Sequence, residues 1–276
     1  MLKLKYFFKK NKLLIMIVAI ILICSIAIAF GVYAQITNRS AIKAENKKNQ
    51  NDYEELKNNF QEIFTNTINK EATAKLNINY EDILYCEYDI LDKKDGKYDI
   101  EAKIPAFKGE TETLKEINSN IYNKFAKEII TFVKNGDANV SYNLDYVAYV
   151  NNDIISLVIM CKYKNGANPQ KIIVETYNYD IENDKLLEIE DIINYKKLNK
   201  EEMQKKVKEE IKKENNQMKN IAEQGYNVYL RDENSKIYEI KNTPNFFLGK
   251  NNYLYLVYAY GNDEETYTSE MDLVIF

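Results

Sequence analysis

Three groups of side chains in this chain have types and spacings that invite chemistry. Asp180, Glu182 and Asp184 place carboxylates at alternate positions, a spacing able to offer oxygens to a calcium ion. The run is too short for a helix-loop-helix calcium site and lacks its glycine and terminal glutamate. A turn that keeps acids in water is the better account. Asp263-Glu264-Glu265 sets three acids beside Tyr258, Tyr260 and Tyr267. The acids suit a cationic partner, and the rings add stacking area for a glycan or a protein. A solvated loop, with Tyr258 and Tyr260 alternately buried in a strand, explains the same residues. Cys86 and Cys161 are the third group. Both lie in strand-like runs and would close a long loop if they paired.

Other chemistries are closed off. The chain has no histidine, which removes serine and cysteine nucleophiles activated by imidazole and the common zinc sites. It also removes the side chain that most often moves protons at neutral pH. With 42 acids a carboxylate pair for glycoside hydrolysis is available, but no pair stands out. There is no glycine-rich phosphate loop and no nucleophile elbow. No cofactor and no metal ion are expected.

What must position these groups begins with residues 13–34, an uncharged and almost wholly apolar run. A helix needs about 20 apolar residues to cross a bilayer. Lysines 3, 5, 9, 10 and 12 precede the run and no acid does, so residues 1–12 should stay in the cytoplasm. The reading is a single-pass cell-membrane protein with its C-terminal domain extracytoplasmic. A cleaved signal peptide is the alternative, with Val32-Tyr33-Ala34 as the cleavage site, although its hydrophobic core is usually only about 7–15 residues. Cys24 follows Ile23 deep in the run, which does not fit a lipoprotein anchor.

Five of the 38 basic residues lie before residue 35 and none of the 42 acids does, so the external part carries a net charge of −9. That argues against a nucleic-acid partner. Lys, Asn, Ile and Tyr are abundant, Trp is absent, and Arg39 and Arg231 are the only arginines. This composition follows AT-rich codons and points to a bacterium, of the Gram-positive kind with one membrane. The same bias explains many of the 23 tyrosines without assigning them to sugar stacking.

Along the chain, residues 35–70 read as a polar tether and a stalk helix, with Asp52 as N-cap and Glu55 three residues on. Tyr80–Leu91 and Lys97–Ile104 read as strands joined at Asp95-Gly96, and Pro105 and Gly109 end them. Thr113 and Glu116 suggest a capping box. The helix it opens carries Leu114, Ile117, Ile121, Phe125, Ile129 and Val133 on one face and stops at Asn135-Gly136. Val140–Val150, Ile154–Lys164 and Lys171–Tyr179 read as three consecutive strands. Leu186–Ile193 alternates apolar and acidic residues and leads into a second helix. That helix starts near Asn199, shows Met203, Val207, Ile211, Met218 and Ile221 on one face, and ends at Gly225. Tyr226–Leu230, Ile237–Ile240, Asn245–Leu248, Tyr253–Tyr260 and Met271–Phe276 read as strands, with a hairpin turn at 249–252.

Three stretches resemble a family of bacterial extracytoplasmic domains of the DUF4163 and DUF3298 types, the RsiV-like sensor region among them. The first holds Tyr163-Lys164-Asn165-Gly166-Ala167-Asn168, then Tyr177-Asn178-Tyr179-Asp180, then Leu187-Glu188-Ile189-Glu190-Asp191. The second is the charged helix at 199–224. The third is Asn245-Phe246-Phe247-Leu248, a turn, Tyr253–Tyr258 and Ala259-Tyr260-Gly261. Members of the family often carry Gly-Gly-Ala-His in the central turn, so any role of that histidine is absent here. The anti-sigma members hold a sigma factor with a cytoplasmic segment longer than the dozen residues before this apolar run. The resemblance implies a DUF4163-like part at 71–185, a DUF3298-like part at 186–276, and a partner that is an envelope glycan or a protein attacking it.

The expected fold is α+β: an N-terminal transmembrane helix, then an antiparallel sheet packed with two main helices. The expected function is a binding or sensing module at the cell envelope that meets an envelope glycan or a cationic secreted protein. Tyr258, Tyr260, Asp263, Glu264, Glu265 and Tyr267 are its candidate contacts. A carboxylate-based envelope hydrolase and a structural partner of another membrane protein are the alternatives.

Overall fold

A computed structural model describes residues 52–71, 82–135, 139–226, 228–259 and 271–276. The apolar run at 13–34 and the tether lie outside them. No helix among the described residues is long and apolar enough to cross a membrane. The chain divides into two compact units, Met1–Phe60 and Gln61–Phe276. In the first, residues 52–58 are helical. The stalk helix expected to reach residue 70 is therefore short. Asn66 turns left-handed at φ 57°, and Thr67–Lys70 form a strand, β1.

The second unit is α+β. Its large sheet holds β1, β2 (Leu84–Lys94), β3 (Tyr98–Phe107), β4 (Val140–Asn151), β5 (Ile154–Asn165), β6 (Lys171–Asp180) and β7 (Lys185–Leu186). The order is β2-β3-β4-β5-β6-β7. Asn and Gly at the tips bend it back on itself: Gly96 has φ 69°, Asn152 φ 56° and Gly166 φ 60°, left-handed values that these residues adopt at low cost. The sheet is mixed rather than wholly antiparallel. β3 runs parallel to β4 over Tyr98–Ala102, and β1 runs parallel to the other end of β4, Thr67 opposite Val147. The helical crossover between β3 and β4 makes the parallel pairing possible. Pro105 lies within β3 and does not end it. It sits opposite Cys86 beside an irregularity in the ladder, past the residues that pair with β4, where a missing N–H is tolerated.

One face of this sheet packs on the crossover: α1 (Glu112–Ile121), a π turn (Tyr122–Ala126) and α2 (Lys127–Asn135). Thr111, not Thr113, caps α1, its Oγ1 accepting from Leu114 N–H at 3.3 Å. Thr113 is already inside the helix and donates to the Asp184 carbonyl at 3.0 Å. Ile117, Ile121, Phe125 and Ile129 are buried at four-residue steps. That spacing drifts around an α-helix, and the wider π turn absorbs the drift. The stripe then closes on Phe132, leaving Val133 41% exposed.

The opposite face receives a three-stranded antiparallel sheet, β8 (Asn245–Leu248), β9 (Leu254–Ala259) and β10 (Met271–Ile275), in the order β10-β9-β8. Two helices accompany it, α3 (Ile189–Lys196) and α4 (Lys200–Glu223). Asn199 caps α4 as expected, its side chain accepting from Glu201 and Glu202 N–H. Helix α3 was not expected. Glu188 and Asp191 open it, Asp191 Oδ2 accepting from Glu188 N–H at 2.9 Å.

The two sheets meet through a buried polar stripe. Phe246 and Leu248 turn their backbone groups away from β9 toward the large sheet. Thr176 Oγ1 accepts from Phe246 N–H at 3.1 Å and Ser156 Oγ from Leu248 N–H at 3.1 Å. Asn178 donates to the Phe246 carbonyl at 2.8 Å and Asn151 to the Leu248 carbonyl at 3.1 Å. Side chains thus supply the partners that a neighbouring strand would give, and no backbone group of that edge is stranded in the core.

Candidate functional site

Of the residues expected to make contacts, Tyr258 alone is described. Tyr260, Asp263, Glu264, Glu265 and Tyr267 lie outside the described residues. Tyr258 is on β9, 1% exposed, and its ring meets Tyr238 edge-on with centroids 5.1 Å apart. Its hydroxyl lies 3.4 Å from Thr243 Oγ1. Burial pushes its pKa up to about 12. The ring is core and presents no face for stacking on a ligand. Strand alternation placed this residue inward.

What Tyr258 faces across the ladder is Asp272 of β10, and Asp272 belongs to a buried ion pair. Arg231 Nε donates to Asp272 Oδ2 and Nη2 to Oδ1, both at 2.8 Å, with each side chain 3% exposed. Two parallel N–H···O bonds are the geometry that a guanidinium fork makes and an ammonium cannot. The backbone of Arg231 is fixed as well. Its N–H donates to Asn215 Oδ1 at 3.1 Å, and Asn215 Nδ2 donates back to its carbonyl at 3.2 Å. Gln204, on the same helix, does likewise for the next turn, donating to the Tyr238 carbonyl and accepting from Ile240 N–H.

These amides explain why two expected strands are absent. Residues 228–230 have no regular structure, and Lys236–Tyr238 and Ile240–Asn242 are short 3₁₀ turns. Amide side chains of α4 hold the backbone of Arg231, Tyr238 and Ile240 here, where a ladder was expected. The stripe of α4 correspondingly runs Met203, Val207, Ile211 and then Asn215, all buried, whereas Met218 and Ile221 are only partly so. Lys206 also belongs to this junction. It donates to the Ile275 carbonyl at 2.7 Å, lies over the Phe276 ring, and burial holds its pKa below the usual lysine value.

Chemically the cluster is an anchor. Both carboxylate oxygens of Asp272 are taken up by the guanidinium. The pair pins β10 to the segment following α4, at the end of the β9–β10 ladder where Ala259 opposes Met271. The acids at 263–265 fall in the stretch that joins those two ends. Arg231 was not singled out in the sequence, although a signal was there. In a chain whose codons favour lysine, one of only two arginines marks a position where the planar fork is needed.

The other groups singled out in the sequence have ordinary roles. Asp180 accepts from Asn183 N–H at 3.1 Å and from its side chain, closing the β6–β7 turn. Asp184 accepts from Thr111 Oγ1 at 2.8 Å and from the Tyr179 hydroxyl at 2.9 Å, tying that turn to the start of α1. Among the described residues no group of three or more His, Cys, Asp or Glu side chains is placed to hold a metal ion. Cys86 and Cys161 are both free, the first exposed and the second buried. They sit on β2 and β5, with β3 and β4 between them. Three strand spacings amount to roughly 14 Å, about twice the Cα separation a disulfide spans.

No family model matches the chain, and no curated protein matches it. A crystal structure of a DUF3298 family member from Bacteroides fragilis is similar to it over 58% of this chain and 74% of that one, at 11% sequence identity and a TM-score of 0.36.

Proposed function

We propose that this protein is a membrane-anchored, extracytoplasmic binding or sensing module of the bacterial cell envelope, with residues 36–276 outside the membrane. The observation that carries the reading is the buried Arg231–Asp272 pair, which anchors β10 in its ladder with β9. It fixes β10, the strand that follows the stretch in which Asp263, Glu264 and Glu265 lie. The partner is an envelope glycan or a cationic secreted protein. The uncharged run at 13–34 behind its lysines supports the topology, and the DUF4163/DUF3298 resemblance supports the partner class. Protease added to intact protoplasts digests residues 36–276 if the topology holds, and full protection refutes it.

Binding is tested with the full chain in non-ionic detergent against peptidoglycan and against a basic wall-lytic protein. Charges at the rim of an interface act on association rate and its salt dependence. Replacing Asp263, Glu264 and Glu265 by Asn and Gln should therefore weaken binding more at low salt than at high salt. Sustained turnover of a wall substrate, abolished by changing a single Asp or Glu, would replace this reading with that of an enzyme.

A further inference from the structure

The face of the large sheet that receives β8–β10 is left uncovered by them at its far end. There the register sets Lys93 opposite Asp99, Asp99 opposite Ser141, and Ser141 opposite Lys164, one row across four strands. The row runs into an open cleft of about 320 Å³ that the β2–β3 turn and the β5–β6 turn border. Lys97 borders the same cleft from the first turn, so with Lys93 and Lys164 three lysines line it on this face against two acids, Asp95 and Asp99, while Lys94, opposite Tyr98, faces the other side of the sheet. One acid is already engaged: Asp99 accepts from Lys93 Nζ at 2.5 Å. The external part of the chain carries −9 overall, so a cationic cleft runs against its own background. Charge of one sign gathered in a concave site concentrates ions of the other.

We propose that this cleft is an anion-binding site for a phosphate group, borne either by a soluble phosphate or by a phosphodiester headgroup. Lysine suits the task because its ammonium is a compact point charge with three donors on a flexible stem. Lys97 from the β2–β3 turn and Lys164 from the end of β5 stand on opposite sides of the cleft, so their heads can converge on one tetrahedral anion. Ser141, exposed at the floor, supplies a hydroxyl donor. Asp99 keeps Lys93 in place beside them. The cleft's excess of lysine is opposite in sign to the acidic run at 263–265, so the two would select different partners.

Titration calorimetry on the full chain in non-ionic detergent tests this with two probes. One is inorganic pyrophosphate and the other is glycerophosphoglycerol, a phosphodiester headgroup without acyl chains. At low salt the protein should bind at least one of them with a millimolar or lower Kd. Preference for pyrophosphate assigns a soluble phosphate, and preference for the diester assigns a lipid headgroup. The double variant Lys97→Gln, Lys164→Gln should weaken binding at least tenfold without moving the melting temperature, because both residues are exposed. Lys205→Gln with Lys208→Gln, on the solvated face of α4, should leave binding within twofold. Absence of binding by either probe, or an equal loss in the α4 variant, overturns the assignment.

Discussion

Replacing Arg231 by Leu should be among the most damaging single changes in the described part of the chain. It removes the guanidinium and leaves the Asp272 carboxylate 3% exposed with neither of its two 2.8 Å donors. Breaking a buried pair from one side costs about 3–5 kcal/mol, which for a unit of this size lowers the melting midpoint by roughly 6–20 °C. An exposed pair such as Lys205–Glu209, with side chains 77% and 65% exposed, is expected to contribute about 1 kcal/mol or less. Arg231→Lys keeps the charge but loses the fork, and should fall between the wild type and Arg231→Leu. Arg231→Met combined with Asp272→Leu removes both charges, so no buried carboxylate is stranded. Because replacing both charges is about neutral whereas breaking the pair from one side costs about 3–5 kcal/mol, that double variant should be more stable than Arg231→Leu by about 3 kcal/mol or more.

The assay is urea unfolding of the full chain in non-ionic detergent, followed by circular dichroism. The backbone bonds between Arg231 and Asn215 survive in every variant, whereas the Nη1 bond to the Tyr229 carbonyl goes with the guanidinium and is part of the Arg231→Leu loss. A loss under about 1 kcal/mol for Arg231→Leu, or a double variant no more stable than the single, would refute the reading of this pair as a desolvated clamp.

Ser156→Ala should cost about 1–3 kcal/mol, because it leaves Leu248 N–H and Asn178 Oδ1 without their shared partner in a buried site. Hydrogen exchange should then accelerate at the Leu248 amide more than at the centre of β5, and uniform acceleration would refute a local role. Alkaline pH should destabilise the fold through its tyrosines. Burial pushes Tyr149 and Tyr258 up to about 12, and Tyr142, Tyr177, Tyr238 and Tyr255 further. An unfolded tyrosine loses its proton near about 10, so above that pH the unfolded state binds fewer protons than the native state and stability falls as pH rises. Ultraviolet titration of the native protein should show these hydroxyls un-ionised past pH 10 until the fold is lost, and full ionisation before any change in circular dichroism would refute it.

The elements that were legible in the sequence owe their structure to near neighbours. β4, β5 and β6 were read within a residue or two because Asn and Gly at the tips permit tight turns and the alternation between them is regular. Helix α4 was read because Asn199 caps it locally. What was missed depends on distant partners. β1 looks helical by spacing, but its ladder is with β4, far along the chain. Tyr226–Leu230 and Ile237–Ile240 look like strands, but the backbone at Arg231, Tyr238 and Ile240 is held by Asn215 and Gln204. Period-two alternation marks Tyr258 as facing one side of a strand without saying which side is the core.

The polar stripe at Asn151, Ser156 and Asn178 shows the same limit from the opposite direction. Asn178 lies in the Tyr-Asn-Tyr-Asp motif that reads, in the sequence, as the approach to a turn. In the fold it is 2% exposed and spans two sheets, its amide donating to the Phe246 carbonyl while its oxygen accepts from Ser156. A polar residue inside an apolar strand run is costly to bury unless its bonds are met. Its presence therefore implies a partner backbone lying against that face. Asn151 and Asn178 sit on adjoining parts of one sheet face, and each donates to a carbonyl of β8. Together they specify where β8 docks more sharply than the apolar residues around them, because a shift of one residue would turn the carbonyls of Phe246 and Leu248 to the other side.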